Sequence, residues 1–160
     1  MIPHLSLDDL PALAGFVRPE TLVVSIAAGT PLQTLKSAFP GSVCVRTMPN
    51  TPASVGAGIT AAYAPDATPD QRSGVTELLS AVGKVLWVED EGLMDAVTAI
   101  SGSGPAYVFH MVEALAQAAE ELGLDRQSAQ LLARETVVGA GALLAQSADD
   151  ASTLRHNVTS

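Results

Sequence analysis

Thr21-Leu22-Val23-Val24-Ser25-Ile26-Ala27-Ala28-Gly29-Thr30-Pro31 decides the fold class. Its first six residues are short, apolar and rich in β-branched side chains, the make-up of a buried strand, and Gly29 supplies the turn after them. Pro31 then opens a helical spacing in which Leu32, Leu35 and Phe39 recur, with proline in the first turn, where a missing N–H costs nothing. A strand that gives way to a helix within a few residues is the building unit of an α/β sheet.

Working outward, the unit repeats. Val43-Cys44-Val45-Arg46-Thr47-Met48 reads as a second strand stopped by Pro49, Gly58 to Ala64 as a third, and Lys84-Val85-Leu86-Trp87-Val88 as a fourth. Between the last two, Pro69 to Val82 has helical spacing, with Val75, Leu78, Leu79 and Val82 on one face. This alternation implies a sheet of parallel character with helical crossovers. From about Leu93 the strand signals stop. Ala106 to Leu122 is polar only at His110, Glu113, Gln117, Glu120 and Glu121, Gly123 ends it, and Asp125 starts a further helix that runs to about Gln146. Helices apolar around most of their circumference must bury against more than one neighbour, so this half is expected to pack with copies of itself. The expected architecture is α/β followed by all-α, divided at about 91/92 with no Gly/Ser or Pro linker.

Composition narrows the function. Of 160 residues 48% are hydrophobic and 16% charged, which is too apolar for a disordered chain and enough for a sizeable core. The net charge of −9 disfavours nucleic acid and anionic membranes, which call for a basic patch. A single cysteine, Cys44, excludes an internal disulfide, and in a β-branched strand it reads as a small buried hydrophobe. There is no basic-then-apolar leader and no apolar run of the roughly 18 residues that span a bilayer, so the expected location is the cytoplasm.

Three stretches carry candidate chemistry. Gly56-Ala57-Gly58-Ile59-Thr60-Ala61 nominally fits a dinucleotide fingerprint, but a proline-rich turn precedes it and a strand pattern follows, so it lacks the strand-to-helix setting a phosphate loop needs. Ser101-Gly102-Ser103-Gly104-Pro105-Ala106-Tyr107 is either a well-made helix start, capped by Ser103 or Gly104, or a backbone cradle for an anion or a cofactor edge. Met48-Pro49-Asn50-Thr51-Pro52 follows a strand end, where open α/β sheets bind ligands, and is otherwise a rigid turn. His110 and Glu113 lie one helical turn apart, but two groups make no metal site, and none is expected. His4 and His156 stand alone. Asp8-Asp9, Glu89-Asp90-Glu91 and Asp149-Asp150 read as solvated or helix-capping acids.

Taken together, Leu22-Val23-Val24-Ser25-Ile26-Ala27-Ala28-Gly29, Val45 to Pro52, Asp95 to Tyr107 and Leu154-Arg155-His156-Asn157-Val158-Thr159-Ser160 resemble the pyrroline-5-carboxylate reductase family, in the family's order and over nearly the whole chain. The resemblance implies a Rossmann-type domain that holds NADPH or NADH, here represented by its C-terminal part in residues 1–91. It implies a helical dimerisation and substrate domain, incomplete, in residues 92–160. The implied reaction is hydride transfer to the C=N bond of 1-pyrroline-5-carboxylate, giving L-proline. By the same resemblance Ile26, Ala27 and Ala28 lie along the cofactor, Met48, Pro49 and Asn50 lie near its nicotinamide end, and Asn157 approaches from the helical domain. Ser101, Gly102, Ser103 and Gly104 would shape the substrate pocket. No residue is named as the acid or base.

The departures from the family pattern bear on activity. The family opens with a strand and a glycine-rich phosphate loop, whereas this chain starts at Met1-Ile2-Pro3, and the family continues into a Pro-Gly-Gly-Thr-Thr loop, whereas this chain stops at Ser160. The 160 residues alone are therefore expected to be inactive. An alternative is a non-catalytic truncated paralogue that pairs through its helices with a full-length reductase. Hydroxy-acid dehydrogenases of the β-hydroxyacid type share the layout but use a lysine in the second domain, and here the lysines are Lys36 and Lys84.

Overall fold

A computed structural model of the chain describes residues 10–159; His4, Asp8, Asp9 and Ser160 lie outside them. The elements are α1 (Leu10–Ala14), β1 (Leu22–Ser25), α2 (Leu32–Ala38), β2 (Val43–Met48), β3 (Gly58–Tyr63), α3 (Pro69–Ser80), β4 (Gly83–Trp87), α4 (Leu93–Val97), α5 (Gly104–Glu121), α6 (Arg126–Gln146) and α7 (Ala151–Thr159). A 3-10 turn at Thr51–Val55 joins β2 to β3, and a π-type turn at Thr98–Gly102 joins α4 to the start of α5. The chain divides into two compact units at Pro105/Ala106.

In the first unit the strands lie in the order β1-β2-β3-β4. β1 pairs parallel with β2, β2 antiparallel with β3, and β3 parallel with β4. The parallel character expected from the alternation thus fails at β2/β3. The reason is the length of the connection: a parallel return needs a dozen or more residues, and the link from residue 49 to residue 57, with its 3-10 turn at Thr51–Val55, is shorter and reverses the chain.

Alternate residues of β2 anchor two layers. On one face Cys44 packs with Leu32, Leu35 and Phe39 of the α2 segment. On the other Val45, fully buried, packs with Ala62, Ala64 and Val75 of α3. Pro31 stands at the N-cap of α2 in an extended conformation instead of inside its first turn. α3 starts on a capping box between Thr68 and Gln71. Its buried face is narrower than its spacing predicts: Val75 is enclosed while Leu78 is exposed, and the helix ends at Ser80, which leaves Val82 in the turn beyond it. Arg72 ties α3 to β4 by stacking 5.0 Å over the Trp87 ring and bonding Glu89 at 2.9 Å. Gly83 opens β4 at φ +146, and any Cβ there would run into the Gly58 carbonyl of the neighbouring strand.

The second unit is helical, and among its described residues only Ala129 and Ala133 are buried. Asp125 caps α6 by accepting the Ser128 N–H at 3.0 Å, and Gly123, at φ +101, makes the turn before it. Apolar side chains on these helices, among them Phe109, Leu131, Leu132, Leu143 and Leu144, are at least half exposed. No helix of the described residues is long and apolar enough to cross a membrane.

Cys44 is 2% exposed, and burial pushes its thiol above the usual pKa. The folded chain should therefore resist thiol reagents. Leu35→Ala removes a neighbour that is 1% exposed and should cost about 2–5 kcal/mol. Urea unfolding followed by Trp87 fluorescence checks that cost, and the Cys44 labelling rate should rise with it. A labelling rate in the native chain equal to that in urea would contradict the packing.

Candidate functional site

Parallel pairing sets β1 and β2 side by side, with Ser25 opposite Arg46, so the loops that follow both strands leave from one edge of the sheet. That C-terminal edge is where open α/β sheets take ligands. The loop after β1 is held from within. Thr47 Oγ1 donates to the Ser25 carbonyl at 2.7 Å, Ser25 Oγ accepts the Ala27 N–H at 3.3 Å, and Thr30 N–H reaches the Ala27 carbonyl at 3.4 Å. Between these anchors Ile26 is 59% exposed, Ala28 and Gly29 face outward, and Gly29 takes φ +72. Small side chains and an open backbone let a ligand approach closely here.

The Met48-Pro49-Asn50 stretch leaves from the same edge. Asn50 Oδ1 accepts the Ile59 N–H at 3.0 Å, which closes the turn and leaves its NH2 as the group it can present to a ligand. Met48 is half-buried, and a Cβ at Gly102 would stand 2.7 Å from Met48 Cε. The structure therefore brings Met48 and the Ser101–Gly104 stretch into contact, although the sequence separates them by more than fifty positions.

Ser101 to Gly104 form no free helix start. α4, the π-type turn and α5 follow one another, and the Ser103 N–H bonds the Thr98 carbonyl at 2.8 Å. Ser103 has a helical backbone and closes the π-type turn as its C-cap. The π-type turn displaces one residue from the helical ladder, a feature common at functional sites. It also buries Ser101 Oγ without a hydrogen-bond partner. The Gly56 to Ala61 stretch ends a 3-10 turn and enters β3, so no helix N-terminus follows it.

One residue of this region has no local signal. Among Glu89-Asp90-Glu91, Glu89 is the solvated member and Asp90 caps the Gly92 N–H at 2.9 Å, but Glu91 turns inward. Its Oε1 accepts the Leu32 N–H at 2.7 Å and the Arg46 Nη1–H at 2.7 Å. Both partners are far away in sequence, which is why the acidic run reads as surface. Burial alone would raise the Glu91 pKa, but the Leu32 amide, the Arg46 bond and the Arg46 charge outweigh it and hold the carboxyl below its ordinary value.

Asn157 lies on α7 of the second unit. His110 and Glu113 are an exposed pair at 3.4 Å on α5. Among the described residues no three His, Cys, Asp or Glu side chains gather as a metal site.

A carboxyl with a lowered pKa stabilises the fold fully above its ordinary value and ceases to do so as the pH falls through its folded value. Glu91→Gln should therefore destabilise the chain by a constant amount above pH 4.5, and the difference from the unsubstituted chain should shrink below it. Urea midpoints measured from pH 3 to pH 7 check this, and a difference that grows on acidification would contradict the sign.

Comparison with known proteins agrees with this geometry. A family model described as pyrroline-5-carboxylate reductase dimerisation matches residues 91–160. A pyrroline-5-carboxylate reductase from Synechocystis sp. is 48% identical over 153 residues, which is 94% of this chain and 56% of that protein. A solved pyrroline-5-carboxylate reductase from Coxiella burnetii superposes with a TM-score of 0.88 at 39% identity, covering 99% of this chain and 60% of that one. The Plasmodium falciparum pyrroline carboxylate reductase, solved with NADP bound, matches with a TM-score of 0.80 at 27% identity, covering 98% of this chain and 64% of that one. The chain thus spans a little over half the length of the curated relatives it matches. Residues 91–160 thus belong with the pyrroline-5-carboxylate reductase dimerisation family, and the chain along nearly its whole length is similar to pyrroline-5-carboxylate reductases in sequence and fold.

Proposed function

We propose that this chain is part of an NADPH- or NADH-dependent enzyme that reduces 1-pyrroline-5-carboxylate to L-proline. The observation that carries the reading is the meeting of three segments at one sheet edge: the loop after β1, the turn after β2, and the π-type turn whose Gly102 lies against Met48. The chemistry suits a site without metal ligands. A protonated cyclic imine is already an electrophile, so positioning supplies much of the rate. When bound, the reduced nicotinamide supplies a hydride to the carbon of the C=N bond, and the π electrons of that bond pass to nitrogen.

The residues present fit such a cofactor. Ala27, Ala28 and Gly29 offer a small, outward-facing backbone, and nothing lies within 4 Å of the place a Gly29 side chain would occupy. In this reading Ile26 and Ala28 flank the cofactor, and Met48 gives its nicotinamide end a polarizable apolar contact. Pro49 stiffens the turn, and Asn50 presents its NH2. Ser101 to Gly104 wall the substrate pocket, and Asn157 belongs to the helical contribution. In this reading the functional boundary lies at 91/92, and the dimerisation match, which starts at residue 91, supports it. The exposed apolar side chains of α5 and α6 make self-association the expected role of that part. They equally favour the second reading, a non-catalytic paralogue that pairs with a full-length reductase. The cytoplasm remains the proposed location.

NADPH absorbance during addition of 1-pyrroline-5-carboxylate separates the two readings. The chain carrying the family's missing glycine-rich segment and Pro-Gly-Gly-Thr-Thr loop should turn over, and the 160 residues alone should not. Folded but inert protein in both cases would overturn the reductase reading.

Gly102→Ala tests the contact that joins the site. Its methyl group needs the flexible end of Met48 to move, so the fold should survive with a change of under about 1 kcal/mol. In a methyl-labelled methionine NMR spectrum the Met48 signal should shift while that of Met111, on α5, stays. An unmoved Met48 signal would show that the two segments do not touch.

A further inference from the structure

We infer that Glu91, through Arg46 and the Leu32 amide, is a positioning residue for the nicotinamide cofactor. The inference rests on the reading just proposed, since it assumes that the loop after β1 and the turn after β2 meet that cofactor.

Glu91 is the point where those segments are fastened to one another. One oxygen, Oε1, takes both short bonds, from Leu32 at the start of α2 and from Arg46 near the end of β2. The Arg46 side chain is 12% exposed and that of Glu91 31%, so water competes weakly for this pair. Leu32 follows Thr30 and Pro31, so its bond fixes the far end of the loop whose near end Thr47 and Ser25 already hold. Arg46 is two residues before Met48. Glu91 itself leads through Gly92 into α4 and the π-type turn, and so to the Gly102 contact with Met48. A single carboxylate therefore sets the loop, the strand end and the pocket wall in register.

The polar partners of Glu91 are the Leu32 amide and Arg46, and not Ile26, Ala28 or Asn50, so its effect on a ligand passes through backbone position. Without it, the loop and the strand end would have to be ordered when the cofactor binds, which weakens binding. That cost is the same in the ground state and in the transition state, so it falls on KM for the cofactor and spares kcat. A residue that merely holds the fold together would instead lower the melting temperature and the amount of active protein, leaving KM alone.

The test uses the protein at the family's full length, with KM for NADPH and kcat measured for Glu91→Ala, Glu91→Gln and, as a control, Glu89→Gln. Glu89 carries the same charge two residues away, but it pairs outward with Arg72. Glu91→Ala should raise KM for NADPH about tenfold and Glu91→Gln, which keeps an acceptor for the Leu32 N–H, about threefold, as loss of charge-assisted bonds would give. kcat should stay within about twofold in both, and Glu89→Gln should match the unsubstituted protein in KM. If Glu91→Ala does not fold, Glu91→Gln carries the test alone. An unchanged KM, or a fall confined to kcat, overturns the positioning role while the reductase reading stands. Absence of turnover in the unsubstituted full-length protein overturns both. In that case faster Leu32 amide exchange in Glu91→Ala, measured in the 160-residue chain, would mark the clamp as structural only.

Discussion

Strand β2 is covered on both faces and still carries a guanidinium. Cys44 and Val45 are buried in opposite layers, and Arg46 follows them at the strand's far end with little access to water. A charge placed there is costly unless a partner neutralises it and fills its hydrogen bonds, because removing one partner leaves an uncompensated charge indoors. Glu91 supplies that partner from the segment after β4. The requirement propagates: the carboxylate that neutralises Arg46 must come close, its segment comes with it, and α4 and the π-type turn are delivered beside Met48.

The same strand explains the sheet's mixed direction. β1 reaches β2 through α2, a crossover long enough for parallel pairing, whereas the turn after Met48 is too short for one. β3 and β4 therefore begin at the edge where β1 and β2 finish and end at the opposite one, which carries the segment after β4 back towards Arg46. Gly83, pressed against the Gly58 backbone, keeps β4 close enough for Val88 to close the layer over Met94. In the helical unit the constraint is the opposite one. Its described helices bury little but Ala129 and Ala133, and much of their apolar surface is exposed.

Elements governed by near neighbours in sequence were legible. The four strands, the Pro69 start of α3, the Gly123 turn and the Asp125 cap all follow from spacing and local chemistry. What could not be read was anything set by a partner far along the chain. Leu78 has the spacing of a buried face and lies exposed while Val75 and Leu79 pack on the sheet, and Val82 lies past the end of α3 at Ser80. Ser101-Gly102-Ser103-Gly104 does lead into a helix that starts at Gly104, but the π-type turn that runs into it has no signal in the spacing. Glu91 looks like its neighbours Glu89 and Asp90, and nothing within ten residues distinguishes it. Of the candidate site, the segments were visible but the contacts between them were not.

The proposed site is made of groups that do little chemistry by themselves. Ala27, Ala28, Gly29, Pro49, Gly102 and Gly104 offer backbone and shape, and Ile26 and Met48 offer apolar contact. Such a site acts through geometry, since an electrophilic imine and a hydride donor react when held in contact and need no strong acid, base or metal. Precision must then come from behind the surface, from residues that never meet the ligand. This is why the ionic pair of the region lies beneath the loops, with Thr47 and Ser25 beside it, and why the outward face is small and neutral. A charged side chain on that face could hold an anion, but only a buried one can fix the distance between two loops.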